Sequence, residues 1–303
     1  MYRLVRYALL MFSVVSMVAL PSVARGETRS NARPTNAKGG PANDIGDRAT
    51  PAPYRARMGY ADLYIPTFFS VERGSYDVVF HFHGVPNLQE DNVERSRLNA
   101  VVVSVTLGIG SGAYSGYYES PKVFDALVER TQREVEKSGR APGARLGRIA
   151  ISAWSAGFGA VGQILSQPGN VDRIDAIVLA DGLHANYLNG RKINDAALAK
   201  YASFAERAMR GEKLFALTHS SIQTEGYPST TDTIGELLVL TDVPKNAAPG
   251  KVGPRGMRLI YQSDRGDFHV KGYEGMGVQD HIDHIKGMHD TLFPYLKARW
   301  SKR

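Results

Sequence analysis

The chain has 303 residues, 43% of them hydrophobic, a formal charge of +7 and no cysteine. That length and apolar content suffice for one large core. The lack of cysteine excludes a disulfide framework and a cysteine-linked lipid anchor, and the mild charge, with basic residues interleaved among acids (Glu129, Arg130, Arg133, Glu134, Glu136, Lys137), excludes a nucleic-acid surface.

In chain order the first element is a leader. Residues 1–26 combine a basic start at Arg3 and Arg6, a thirteen-residue apolar stretch from Ala8 to Leu20, and the small-x-small triplet Ser22-Val23-Ala24. That pattern reads as a secretory signal. The stretch is shorter than the about 20 residues a bilayer-spanning helix needs, so removal is expected rather than anchoring, and the destination is secreted or periplasmic. Loss of Arg3, Arg6 and Arg25 with the leader lowers the formal charge to +4. Residues 27–53, rich in Asn, Pro, Gly, Thr, Ala and Arg without apolar periodicity, read as a disordered tether. Residues 54–303 are expected to form one domain, with no internal repeat.

Nearly unbroken apolar runs predict strands at Tyr76–Phe82, Ala100–Val105, Arg148–Ala153, Ile174–Ala180, Lys213–Leu217 and Met257–Tyr261. Runs of this kind suit strands covered on both faces, as in a parallel sheet. Helical patterns lie between them at Gln89–Leu98, Pro121–Lys137, Ala156–Leu165, Ile193–Met209, Thr230–Leu240 and His281–Lys297. The alternation makes the fold class α/β, a mostly parallel doubly wound sheet flanked by helices. The glycine- and tyrosine-rich stretch 108–118 has no helical period and reads as a loop bordering a ligand crevice.

The most informative segment is Arg148 to Ala160, a buried strand that runs into a sharp turn and then a small-residue helix, with Ser155 at the tip of the turn. Such an elbow lifts a serine hydroxyl clear of the sheet, and it needs small residues two positions to either side. Ala153 and Gly157 meet that need. A serine attacks a carbonyl only when a histidine takes its proton and an acid orients that histidine. The acid belongs at the C-terminal end of a strand, and Asp181 directly follows the buried run ending at Ala180. A metal site using His81 and His83, with His281 and His284, is the rival use of the histidines. Gly84-Val85-Pro86-Asn87 follows where further acidic and histidine ligands would be expected, so no metal is implied.

From about Tyr60 to its end the chain resembles the α/β-hydrolase superfamily. The resemblance rests on His81-Phe82-His83-Gly84 closing an early strand, on the elbow Ala153-Trp154-Ser155-Ala156-Gly157, and on His281 beyond the last strand, in the order nucleophile, acid, histidine. It implies Ser155 as nucleophile and His281 as base, with His284 one helical turn away as the alternative and His219 and His269 next in line. It also implies an oxyanion hole made by the Ala156 N–H and by the loop after His83-Gly84. Val85 is the donor expected there, because Pro86 has no N–H, and Gly84 lets the backbone approach the substrate while His83 braces the loop. Two departures stand out. Ala153 occupies a position where glycine is commonest, and Thr218-His219-Ser220-Ser221 stands at the usual place of the acid. Some members of the superfamily carry the acid one strand earlier, which makes Asp181 the first choice and Glu225 and Asp232 the alternatives.

The expected activity is that of an exported serine hydrolase cleaving carboxylic esters through an acyl-enzyme intermediate, without a cofactor. Its partner would be a small-molecule or lipid-like ester. A peptidase or acyltransferase on the same machinery, or a non-catalytic binding protein of the same fold, are the alternatives. Acyl and alcohol specificity and the oligomeric state stay open at this point.

Overall fold

A computed structural model describes residues 51–302. The leader at 1–26, and the tether up to its last three residues, lie outside the described residues. Within them no helix is long and apolar enough to cross a membrane.

Ten strands form one sheet: β1 (Tyr54–Met58), β2 (Ala61–Ile65), β3 (Ser75–Phe82), β4 (Val101–Val105), β5 (Arg145–Trp154), β6 (Ile174–Ala180), β7 (Leu214–His219), β8 (Asn246–Val252), β9 (Arg258–Arg265) and β10 (Phe268–Tyr273). Their order across the sheet is β1-β2-β4-β3-β5-β6-β7-β10-β9-β8. The six from β4 through β10 run parallel to one another. β1 and β2 close one edge and β9 and β8 the other, all in antiparallel pairing.

The helices are α1 (Pro86–Ser96), α2 (Ser111–Tyr117), α3 (Pro121–Lys137), α4 (Phe158–Ser166), α5 (Asn170–Arg173), α6 (Asp195–Met209), α7 (Thr230–Leu240), α8 (Val278–Lys286), α9 (Met288–Thr291) and α10 (Phe293–Trp300). They cover both faces, and the alternation of side chains along each strand shows how. Val78, Phe80 and Phe82 of β3 join one buried cluster with Phe124, Leu127, Ile164, Phe204 and Leu237 of α3, α4, α6 and α7. Val79 of the same strand joins the other cluster, with Val93 of α1 and Ile285, Leu292, Phe293 and Leu296 of α8 to α10. Successive strand residues point to opposite faces, so a strand buried on both sides must be apolar throughout. β4 is buried at all five positions.

Helix starts follow their local chemistry. Pro121 opens α3 directly after Ser120. Ser229 and Asp232 make a reciprocal capping box at α7, with the Ser229 hydroxyl accepting from the Asp232 N–H at 3.1 Å.

The structure corrects several expectations. The run Met257–Tyr261, read as a core strand of the parallel kind, belongs to β9, whose burial alternates and whose partners are both antiparallel. Opposite β6, the second parallel neighbour of β7 is β10, which has the polar residues His269 and Lys271 on its half-buried positions and so lacks an unbroken apolar run. The helix expected over His281–Lys297 is three helices, broken at Gly287 and again before Pro294, which lies in the first turn of α10. The stretch 108–118 is not all loop: Ser111–Tyr117 is helical and lies so close to α4 that a Cβ on Gly159 would come within 2.4 Å of the Ser111 carbonyl oxygen. The short strands β1, β2 and β8 lie at or next to the sheet edges, where pairing rather than an apolar run defines them.

Candidate active site

β5 has two parallel strands on one side and three on the other. It ends at Trp154, and a single 3₁₀ turn, Ser155–Gly157, joins it to α4. Ser155 is half-buried and has φ of +49°, the left-handed region that costs a residue with a Cβ of order 1 kcal/mol or more. The surrounding backbone enforces that geometry. A Cβ on Gly157 would stand 2.1 Å from the Phe82 carbonyl oxygen of β3, and one on Gly182 would stand 2.6 Å from the Ser155 nitrogen. Only glycine fits at either position, while Ala153 is fully buried two residues before the serine.

Asp181 follows β6 with φ of +43° and is 1% exposed. Its N–H donates to the Thr218 carbonyl at 2.8 Å. One carboxylate oxygen accepts from the Ser220 N–H at 2.9 Å and the Thr230 hydroxyl at 2.7 Å, and the other accepts from His281 Nδ1 at 2.7 Å. Burial alone would push this carboxyl up. The neighbouring imidazoles of His284 and His281 and the donors to the carboxylate more than reverse it, and the group is held ionised well below the usual carboxylate range. The end of β7 carries no acid; it supplies instead the backbone that grips the acid of β6.

His281 sits in the second turn of α8. With Nδ1 carrying the proton given to Asp181, Nε2 keeps its lone pair free, as a general base requires. No hydrogen bond joins Ser155 to His281 among the described residues. His284, one turn further, is 1% exposed. Its Nδ1 meets the Thr218 hydroxyl at 2.8 Å, its Nε2 is buried without a partner, and burial pushes its pKa down. The structure therefore brings together Asp181 and His281 and turns His284 into the core.

The remaining alternatives lie elsewhere. Glu225 is exposed, and Asp232 uses its carboxylate on the Ser229 N–H and hydroxyl at the start of α7. His219 is fully buried between the Ser220 carbonyl (2.8 Å) and the Tyr261 hydroxyl (2.6 Å). His269 pairs with Asp264 at 2.6 Å and stacks on Tyr295.

On the other side of the elbow, Gly84 has φ of +110° and its carbonyl accepts from the Thr106 hydroxyl at 2.6 Å. Val85 caps α1 in extended conformation with its side chain in solvent. Ala156 occupies the second position of the 3₁₀ turn, where the turn itself gives the N–H no partner. His83, at φ of +74°, stacks on Trp154 with ring centres 5.2 Å apart, and its Nδ1 meets the Tyr114 hydroxyl at 2.9 Å. Burial lowers its pKa to about 4. His81 is buried with Nδ1 on the Ser152 hydroxyl and Nε2 on the His83 carbonyl, both at 2.8 Å, and burial lowers its pKa to about 3. Both nitrogens of His81 are thus engaged by the protein.

Sequence reasoning did not find Thr218, Ser220 and Thr230 as the setting of Asp181, nor Trp154 and Tyr114 as that of the histidines. No local signal marks the grip on Asp181, because Thr218 and Ser220 take part through their backbone and the Thr230 hydroxyl arrives from 49 residues away.

No family model matches the chain, and no curated protein does. Among solved structures it is similar to a poly(3-hydroxybutyrate) depolymerase from Bordetella parapertussis, at 14% identity over 76% of this chain and 82% of that one, TM-score 0.41. It is similar to a feruloyl esterase module from Clostridium thermocellum at 11% identity, covering 80% of this chain and 86% of that one, TM-score 0.42. A ferric enterobactin esterase from Salmonella typhimurium aligns at 12% identity, covering 80% of this chain and 54% of that one, TM-score 0.42. The assignment rests on the strand order and directions within this chain: six parallel strands with β4 and β3 exchanged relative to the chain, an antiparallel edge formed by β1 and β2, and a strained serine turn after the central β5, which together give it the α/β-hydrolase fold.

Proposed function

We propose that the chain is an exported serine hydrolase that cleaves carboxylic esters through an acyl-enzyme intermediate. The observation that carries this reading is the 2.7 Å hydrogen bond between Asp181 and His281, residues 100 apart in the chain, at the C-terminal end of the parallel strands where the strained Ser155 stands. The export part is supported by the leader-like composition of residues 1–26.

In the proposed mechanism Ser155 Oγ attacks the ester carbonyl carbon while its proton passes to His281 Nε2. Asp181 holds the imidazole tautomer and stabilises the imidazolium. The carbonyl oxygen becomes an oxyanion held by the N–H groups of Ala156 and Val85, each such donor contributing about 3 to 4 kcal/mol in the transition state. Collapse breaks the ester C–O bond, and the alkoxide leaves with the proton from His281. Water then repeats the sequence on the acyl-enzyme and releases the acid. Exposed apolar side chains stand on the connections after the parallel strands, at Val85, Ile109, Leu188, Tyr227 and Met276 and at Val278 opening α8, and support an apolar ester as substrate.

A panel of p-nitrophenyl esters of rising acyl length, run beside peptide and lactam substrates, tests the reaction class. Ester turnover with little cleavage of amides is the expected result. Turnover of peptides or lactams in preference to every ester would replace the esterase reading with a peptidase or lactamase on the same residues.

A further inference from the structure

We propose that Trp154 is the positioning residue that registers the base His281 against the nucleophile Ser155, an inference that rests on the serine-hydrolase reading above. Asp181 grips His281 at one atom, Nδ1, and a ring held at one atom can still swing about that hydrogen bond. The contacts at the start of its helix hold backbone and not the ring: the Gly275 carbonyl accepts from the Ser221 N–H at 3.0 Å, the Asp280 carboxylate accepts from the Gly277 N–H at 2.8 Å, and the helix reaches the core only at His284 and Ile285. The base therefore needs a second, rigid hold.

Trp154 supplies it at two points. Its indole Nε1–H donates to the His281 backbone carbonyl at 3.0 Å, which fixes the first turns of α8. Its ring lies against the imidazole with centres 4.6 Å apart and planes 30° apart, which blocks the swing that the Asp181 bond leaves open. Trp154 is itself held from the oxyanion side. The imidazole of His83 stacks on it at 5.2 Å and 18°, and the Tyr114 hydroxyl holds His83. A Cβ on Gly84 would approach Trp154 Cε3 to 3.8 Å, so the indole also borders the loop that offers Val85.

The residue that makes these contacts is the one directly before Ser155. Ser155 and His281 share no hydrogen bond among the described residues, and the structure connects them instead through the side chain of the nucleophile's own neighbour. Any shift of the elbow then carries the base with it, which preserves the distance over which the proton must move. A leucine at this position would bury apolar surface as well, but it has neither a flat face nor an N–H. The indole packs against the core cluster that holds Val79 and Ile285, and beyond that packing it makes two specific contacts to the base.

Trp154→Leu and Trp154→Phe test the proposal in the full chain. For Trp154→Leu the expected result is a fall in kcat of about a hundredfold, the cost of misplacing a catalytic group by roughly 1 Å, with KM little changed. Trp154→Phe keeps the ring face and loses the N–H, and is expected to lie between wild type and Trp154→Leu, about tenfold below wild type, the worth of one hydrogen bond. A second readout needs no substrate. The His281 ring protons, assigned in an NMR spectrum by their loss in His281→Gln, are expected to carry an indole ring-current shift that disappears in Trp154→Leu. Wild-type kcat in Trp154→Leu, a change confined to KM, or the absence of a ring-current shift would overturn the proposal. Should Trp154→Leu fail to fold, the Phe variant decides, since a kcat equal to wild type would overturn it. If the wild-type protein turns over no ester and takes no serine-directed label, the hydrolase reading is what has failed, and the NMR shift still reports whether Trp154 holds His281.

Discussion

Asp181→Asn is expected to lower kcat by about four orders of magnitude while the fold and Ser155 stay in place. The size of the effect follows from where the carboxylate sits. One oxygen already takes the Ser220 N–H and the Thr230 hydroxyl, and an asparagine carbonyl can keep both of those bonds. The amide nitrogen is then left facing His281 Nδ1, where it can only donate. The imidazole must move its proton to Nε2, the nitrogen that has to accept from Ser155, and no negative charge remains to stabilise the imidazolium. Glu225→Gln and Asp232→Asn are the controls. Both are expected to keep near wild-type kcat, with Asp232→Asn losing about 1 kcal/mol of stability at the α7 cap. Stopped assays on esters with circular dichroism on each variant decide the matter. Near wild-type turnover in Asp181→Asn together with collapse of either control would move the acid to the later loop.

The second large effect separates two histidines one helical turn apart. His281→Ala is expected to lower kcat by about as much as loss of the serine itself, because a nucleophile and its base act as one unit. His284→Ala is expected to keep most of the turnover and to show instead in thermal denaturation. It leaves a cavity beside Tyr273 and strands the Thr218 hydroxyl, changes that typically cost a few kcal/mol. Equal small losses of kcat in both variants would mean that neither is the base.

How much of this was legible in the sequence differs element by element. β6, α3 and α7 begin and end where their residues say they do, because a nearly unbroken apolar run, a Pro after Ser120 and a Ser229/Asp232 cap are all local signals. β10 was not legible. It borders the antiparallel β9, alternates buried and half-buried side chains, and takes its identity from pairing with β7 rather than from its own composition. The last helix carries an apolar period that alone reads as one continuous helix, while Gly287 and Pro294 within it mark the breaks that the structure shows.

At the site, the serine turn was readable because small residues must surround a strained position, and Asp181 because an acid directly after a buried run is unusual. The grip on Asp181 was not readable, since Thr230 reaches it across 49 residues and Ser220 across 39 through a backbone N–H that has no sequence signature. Nor was Trp154. The turn sets no requirement on the residue directly before the serine, and the indole's hydrogen bond is to a residue 127 positions away.

The central claim is that Ser155 alone is activated, by His281 and Asp181, as an acylatable nucleophile. Reaction of the folded protein with a fluorophosphonate, followed by peptide mass spectrometry, tests it without assuming any substrate. The account predicts one label per chain, on the peptide carrying Ser155, absent from Ser155→Ala and strongly slowed in His281→Ala. A label on any other residue, or none on folded wild-type protein, would contradict it.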